Sequence, residues 1–413
     1  MDRYIKMQKI LVVALLLIST ACSHALPIGV PSDRVARVRA MLLEKSPKEN
    51  ADKSINLDQA MADIDEVINL LNYGYGGTHY VPHEKFAAAV SGLKTLKTIL
   101  PRTLSASEFC RRLREVVMII PDRHINFWFD GKWCGEEPKK ISGVGPNFGS
   151  DLKRAWEIND LQLSHGDSVP VISIHWLPSS DDLEWKGFKE TVQNRIKTAR
   201  ALVIDLRGNP GGDDGIGAWL ARTLYGATPP PAYSRIIDRQ TPEALALFIN
   251  SMHLMELGYI RDGKTVPADL QEYQKKYRAN LELALKGNLP EERIQSLNSE
   301  AAEPFDSKKG FDHPIYVLAD RLTGSSAESS LAMLRTHPRA KVIGENTAGA
   351  IHFGNQGEAA LQESGITFLM GTHFVEDIHQ AYYEVVGYPP DIRVKPGASA
   401  ITTLKTELRK RTF

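Results

Sequence analysis

The chain has 413 residues, 42% hydrophobic and 24% charged, which suits a soluble globular protein of more than one folding unit. Lysine plus arginine and aspartate plus glutamate both number 50, so the net charge is zero and the charge footprint of a nucleic-acid binder is missing. Nothing after residue 30 is long and apolar enough to span a bilayer as a helix.

The chain opens on a targeting segment. Lys6 and Lys9 precede the apolar run Ile10–Ile18, too short for a transmembrane helix and typical of a secretory signal. Two endings fit. Ser19-Thr20-Ala21-Cys22 resembles a bacterial lipoprotein box with serine where leucine is usual, and Ser23-His24-Ala25 offers ordinary small-x-small cleavage. The lipoprotein ending, with cleavage before Cys22, is favoured because a cysteine directly after the apolar core otherwise has no explanation. A start at Met7 would give a tidier signal. Residues 1–25 are thus read as a signal peptide outside the fold, and the expected location is the cell envelope, as an outer-membrane lipoprotein or in the periplasm, or the exterior. Cys110 and Cys134 would then lie in an oxidising compartment, where they pair if their Cβ atoms meet. Neither resembles a nucleophile, and no C-x-x-C or histidine-rich cluster suggests a metal.

Residues 26–121 read as an N-terminal helical domain. Val35, Val38 and Leu42 form one apolar stripe; Leu57, Met61, Ile64, Ile68 and Leu71 a second; Phe86, Val90, Leu93, Leu96 and Leu100 a third. A fourth helix opens on the capping box Ser105-Ala106-Ser107-Glu108 and runs through Phe109, Leu113, Val116 and Ile120 to Pro121. From residue 122 to 413 the pattern is α/β. Ile125–Phe129 reads as a strand before a hairpin signal at Asp130-Gly131, and Val169–Trp176 as another. A helix with Trp185, Phe188, Val192 and Ile196 on one face follows, then strand Ala201–Leu206, a glycine loop, and a helix through Trp219, Leu220 and Leu224. Strand–helix alternation resumes at Ile315, which predicts parallel crossovers. Between the halves, residues 227–312 read as a polar, mostly helical insert with helices over Pro242–Ile260, Ala268–Lys286 and Pro290–Ala301. Strands Ile366–Met370 and Ile392–Val394 precede a basic, solvated tail.

Two loops carry the chemistry. Thr323–Ser330, T-G-S-S-A-E-S-S, lies between the apolar strand Ile315–Leu318 and a helix marked by Ala327, Leu331 and Leu334. A serine at a strand end and helix N-terminus has backbone N–H groups aimed at the reacting atom, the setting of a nucleophile beside an oxyanion hole. Taken alone, the octamer is more simply a capping box, with Ser325 or Ser326 as cap and Glu328 as its partner. The loop Gly208-Asn209-Pro210-Gly211-Gly212 lacks both G-x-G-x-x-G order and a G-K-[ST] ending, which argues against nucleotide binding. Its glycines can adopt positive φ and turn N–H groups toward one point; the plain alternative is a tight turn before a helix capped by Asp213 or Asp214.

Four motifs taken together resemble the tail-specific, C-terminal-processing serine peptidase superfamily, which includes the tricorn core and the interphotoreceptor retinoid-binding modules. They are Ala201–Gly212, A-L-V-I-D-L-R-G-N-P-G-G; Thr323–Gly349, T-G-S-S-A-E-S-S through A-K-V-I-G-E-N-T-A-G; Asp122-Arg123-His124, similar to D-x-H; and Glu384–Val394, E-V-V-G-Y-P-P-D-I-R-V. The resemblance implies a layered α/β core of the ClpP/crotonase kind and a peptidase acting on peptides or unfolded protein tails, with neither cofactor nor metal. It places the nucleophile at Ser325 and the oxyanion hole at Ser326 with Gly211 or Gly212. The processing branch takes its lysine base where this chain has Ala350; the tricorn-like branch uses a histidine, which matches His124, and a carboxylate, which matches Glu384. A neutral imidazole can accept the hydroxyl proton at neutral pH. The tricorn-like serine before the histidine is Arg123 here, which leaves the link from Glu384 to His124 open and makes Arg123 a candidate partner of Glu384 or Asp122. Asp205 and Arg207 read as supports of the glycine loop. The segment Cys134–Gly166 holds no recognisable PDZ carboxylate loop, so the insert 227–312 is a candidate cap over the cleft, or else a peripheral elaboration. The competing class is a non-catalytic ligand- or peptide-binding module on the same fold.

Overall fold

In the computed structural model, which describes residues 30–44, 53–135, 154–163, 167–179, 184–297, 310–395 and 398–410, each of the four N-terminal apolar stripes is a helix. These are α1 (Ser32–Met41), α2 (Leu57–Tyr73), α3 (His83–Ile99) and α4 (Ala106–Val117). The stretch expected to be a signal segment cleaved before Cys22, and most of the Cys134–Gly166 stretch that bears on a PDZ module, lie outside the described residues. Local chemistry sets two helix starts. Asn56 accepts the Gln59 N–H at 3.0 Å while the Gln59 side chain returns to the Asn56 N–H, and Ser105 accepts from Glu108 at 3.2 Å. Strands β1 (Ser54–Asn56) and β2 (Thr103–Ser105) pair antiparallel and tie these two starts together.

The remaining elements are β3 (Asn126–Phe129), β4 (Lys132–Trp133), β5 (Trp156–Gln162), β6 (Ser168–Ile174), α5 (Glu184–Ile196), β7 (Leu202–Asp205), α6 (Gly215–Tyr225), β8 (Ser234–Arg239), α7 (Pro242–Arg261), α8 (Ala268–Leu285), β9 (Glu292–Leu297), β10 (Ile315–Ala319), α9 (Ser326–Arg335), β11 (Ala340–Gly344), β12 (Phe353–Ala360), β13 (Thr367–Asp377), β14 (Ile392–Arg393) and α10 (Ala400–Arg409). One sheet runs β14-β11-β10-β7-β6-β5. Its pairs from β14 to β6 are parallel, as the strand–helix alternation predicts, and β5 closes one edge antiparallel. Every residue of β7 and β10 is buried, the continuous apolar pattern of strands covered on both faces. Trp185, Phe188, Trp219, Leu220 and Leu331 from α5, α6 and α9 fill one face; Leu404 and Leu408 of α10 reach the other.

The second sheet is antiparallel, β4-β3-β13-β8-β9, with β12 along the other side of β13. The long strand β13 organises it: residues 367–369 pair with β3 and residues 373–377 with β8. This sheet, α7 and the N-terminal helices share one apolar cluster in which Leu245 and Leu247 join Val67, Leu71, Phe353 and Phe374. Polar groups reinforce the contact. Arg34 grips the buried Glu243 carboxylate with two 2.7 Å hydrogen bonds, and buried Asp63 of α2 accepts the Glu363 and Ser364 N–H groups at 3.0 and 2.8 Å.

Three expectations change. The stretch expected as a third insert helix holds strand β9 up to Leu297, because β8 offers it a free sheet edge and pairing overrides local preference. The first half of α7 is almost wholly buried, so this part of the insert is core rather than decoration. The basic tail is an amphipathic helix whose Ala400, Leu404 and Leu408 are buried among its lysines and arginines. Cys110 of α4 and Cys134 beyond β4 form a disulfide with Cα atoms 5.5 Å apart. Reducing it should cost about 3 kcal/mol, the usual entropy of closing a loop of this size. Urea unfolding with and without reductant measures this, and equal midpoints would refute it.

Candidate active site

The turns after β7 and β10 are bound side by side. Asp320 Oδ1 accepts the N–H of Gly208 at 2.9 Å and of Leu322 at 3.0 Å, and the Thr323 hydroxyl donates to the Leu206 carbonyl at 2.9 Å. Ser325, the last residue before α9, is forced to φ 52°, ψ −125°. Such a backbone costs a residue with a side chain on the order of 1–3 kcal/mol and persists only when its surroundings impose it. Buried Glu328 does so. Its carboxylate accepts the Ser325 N–H at 3.0 Å, the Gly349 and Ala350 N–H groups at 2.8 Å each, and the Thr347 hydroxyl. Burial pushes its pKa up while these hydrogen bonds oppose the rise. The serine side chain is thereby presented to His124, with Oγ 3.1 Å from Nε2.

The glycine loop is shaped by Asn209, fully buried, whose amide donates to the Ile174 carbonyl and accepts the Gly211 N–H, each at 2.9 Å. Its main-chain carbonyl also receives the Gly324 N–H at 2.9 Å, which draws the loop against the serine turn. Gly211 has φ 104°, and a Cβ there would stand 2.8 Å from both Ser325 Cβ and the Ser326 nitrogen. Gly212 has φ 133° and backs onto the Leu177 carbonyl. The Ser326 hydroxyl donates to the Gly212 carbonyl at 2.6 Å. Among the described residues the N–H groups of Gly212 and Ser326 have no acceptor, whereas that of Gly211 is taken by Asn209. Of the two glycines expected at an oxyanion hole, Gly212 is therefore the one with a donor to spare. Asp205 and Arg207, expected as supports of this loop, pair with each other at its start through bonds of 2.8 and 2.6 Å.

His124 stands just before β3. Its main-chain N–H donates to Asp122 Oδ1 at 2.6 Å, and its carbonyl accepts from Gln356 of β12 at 3.1 Å. Burial, followed by the nearby charge of His373, lowers its pKa to about 4, so the imidazole is neutral at neutral pH. With its proton on Nδ1, Nε2 is the acceptor that faces Ser325. Glu384 is buried in the segment after β13. One oxygen accepts the Arg123 N–H at 3.0 Å; the other accepts the Ile351 and His352 N–H groups at 2.9 Å each. Burial raises its pKa to about 7 against the pull of these three bonds. Glu384 thus reaches the histidine loop through main chain, not through the imidazole. The Arg123 guanidinium turns to the Val385 carbonyl at 3.5 Å rather than to either candidate carboxylate.

All the residues singled out from the sequence gather here, on the seam between the parallel strand ends and the second sheet. Asn209, Asp320 and Gln356 were not among them. Asn209 had a signal in its place between a strand end and three glycine-or-proline positions; Gln356 had none, since β12 carries glycines at Gly354 and Gly357 where strand residues would announce it.

The family model described as Peptidase family S41 matches residues 171–394, more than half of the chain. That span contains Gly211, Gly212, Ser325, Ser326 and Glu384 and begins after His124. No curated protein matches the chain. Among solved structures, mature CPAF complexed with lactacystin is 15% identical with a TM-score of 0.55, over 86% of this chain and 98% of that one. Mature CPAF is 16% identical with a TM-score of 0.54, over 86% and 97%. A "putative peptidase" from Parabacteroides merdae ATCC 43184 is 14% identical with a TM-score of 0.53, over 86% and 96%. At these identities the likeness is one of fold, and it extends over nearly the full length of each relative.

Proposed function

The chain belongs to peptidase family S41 and is a serine peptidase, and we propose that it cleaves peptide bonds with Ser325 as nucleophile and His124 as general base. Ser325 Oγ attacks the scissile carbonyl as His124 Nε2 takes its proton, and the carbonyl oxygen becomes an anion held by the free N–H groups of Ser326 and Gly212. His124 then returns the proton to the leaving amine, which departs and leaves an acyl-serine. Water, deprotonated by the same nitrogen, attacks the acyl carbon; Ser325 regains the proton and the new carboxyl end is released. Glu384 is a positioning residue that holds the histidine loop to the Ile351–His352 turn.

The observation that carries this reading is the 3.1 Å contact between Ser325 and His124 at a serine whose strained backbone is imposed by Glu328. A lysine base is missing at residue 350, which is alanine in this chain. The substrates are peptides or unfolded protein tails, and the enzyme works outside the cytoplasm, anchored by lipid at Cys22. Its targeting segment favours that location, as does the Cys110–Cys134 disulfide, a bond of oxidising compartments.

A fluorophosphonate probe tests the reading directly, because an activated serine reacts with it and a capping serine does not. Labelling of the purified protein at Ser325 is the expected result; an unlabelled Ser325 would overturn it. Gly211→Ala should lower kcat/KM by about 10²-fold with the fold retained, since the added Cβ displaces Ser325 and Ser326 by a fraction of a hydrogen-bond length. Circular dichroism and steady-state kinetics on the same sample check both halves.

A further inference from the structure

Behind the base lie three buried side-chain atoms without a hydrogen-bond partner: His124 Nδ1, Asp122 Oδ2 and the Tyr75 hydroxyl. They belong together. Asp122 Oδ1 is 3.8 Å from His124 Nδ1, and the Tyr75 hydroxyl faces the Asp122 carboxyl. Unpaired polar groups are costly in a protein interior, and three side by side in one structure need a reason. Glu384 is not that acceptor in this structure: its three hydrogen bonds all come from main-chain N–H groups and none from the imidazole.

We propose that Asp122 is the positioning carboxylate of His124: it receives the Nδ1 proton in a hydrogen bond and stabilises the imidazolium that forms when Nε2 takes the Ser325 proton. The proposal rests on the reading of Ser325 and His124 given above. A movement of about 1 Å brings Oδ1 and Nδ1 to bonding distance, and contacts of this kind commonly tighten when substrate binds. Asp122 accepts a hydrogen bond and never the proton itself. Nδ1 stays protonated, Nε2 gains the serine proton and gives it to the leaving amine, and the carboxylate keeps its charge throughout. The Tyr75 hydroxyl, which faces the same carboxyl, comes to donate to its second oxygen in that movement. Arg123, between the two residues, leaves this arrangement alone because its side chain points to Val385.

The groups facing Asp122 give the proposal a signature. Burial, and after it the charge of Glu384, raises the Asp122 carboxyl to about 8, while the His124 N–H and the Tyr75 hydroxyl pull the other way. Tyr382 also feels this carboxylate, and His373 lies on the far side of His124. A carboxyl with a raised pKa is charged only above it, so the competent form is lost as pH falls through the upper neutral range. His124 alone would lose its function only near its own pKa of about 4.

The test is the rate of fluorophosphonate labelling of Ser325 as a function of pH, in the full chain and in Asp122→Asn. Asparagine keeps an oxygen for the His124 main-chain N–H, removes the charge and turns the other oxygen into an NH2 donor, which the Tyr75 hydroxyl can accept. The expected result is a plateau lower by about 10²-fold or more and an acid limb moved down by more than one pH unit. Tyr75→Phe, which removes a donor that favours the charged carboxylate, should move the wild-type limb upward. Equal rates and an unmoved limb in Asp122→Asn would overturn the proposal while leaving Ser325 and His124 in their roles. A lowered plateau with the limb in place would overturn it too, as the mark of a merely structural residue. If the asparagine variant does not fold, an unmoved limb in Tyr75→Phe decides against it. Wild-type protein that the probe does not label removes the underlying reading, and the proposal with it.

Discussion

Ser325→Ala should bring peptide hydrolysis down to background, a loss on the order of 10⁵–10⁶-fold, with the protein folded and the oxyanion donors in place. The substitution is clean because Glu328 grips the main-chain N–H of residue 325, not its hydroxyl, so the clamp with Gly349 and Ala350 survives. Alanine tolerates the same positive φ no worse than serine, and the fold was already sustaining that strain. Unchanged thermal unfolding beside absent turnover is the expected pair of results. Turnover within tenfold of wild type would remove Ser325 from the mechanism.

His124→Ala should cost about 10²–10⁴-fold in kcat/KM, the usual worth of a general base. The variant loses the only side chain bonded to the serine hydroxyl among the described residues. The buried ring also separates Ser325 from the acidic group formed by Asp122 and Glu384, so the alanine variant should lose the acid limb expected of the wild type. Steady-state kinetics across pH measures both effects. Wild-type activity in His124→Ala would point to a lysine base and would place the protein with the other branch of its superfamily.

Much of this site is legible in the chain because its parts are short, local and chemically unusual. A serine turn between a buried strand and a helix, and a run of glycines at a strand end, announce themselves by composition, and the apolar stripes of α2, α3 and α4 do the same. What depends on distant partners is not legible. The motif places Glu384 in the site, but only its three main-chain donors, drawn from residues 123, 351 and 352, define what it does there. Asp122 reads as a neighbour of the base, yet its tie to Nδ1 depends on a turn that no spacing rule predicts. The choice between Gly211 and Gly212 turns on one asparagine amide. Strand β12 hides behind glycines that exist to let His373 and Leu247 approach: a Cβ would meet them 2.4 and 2.6 Å away at Gly354 and Gly357. In the C-terminal helix, three apolar residues among charges were too few to outweigh the basic composition, although the sheet face they cover needed them.

The core shared by the first helices and the second sheet also governs when the enzyme can come into being. Arg34 finds its partner 209 residues downstream, Arg123 finds Glu384 after 261, and Asp63 meets Ser364 after 301. Chains dominated by such distant contacts fold slowly, because loop closure precedes the contacts that reward it. The N-terminal helices wait for the helix that begins at Pro242, and then for β12 and β13, before their shared apolar face is fully covered. Ser325 and His124 are themselves 201 residues apart. The pair on which the proposed hydrolysis depends is therefore absent from the growing chain until both of its loops have been made and packed together.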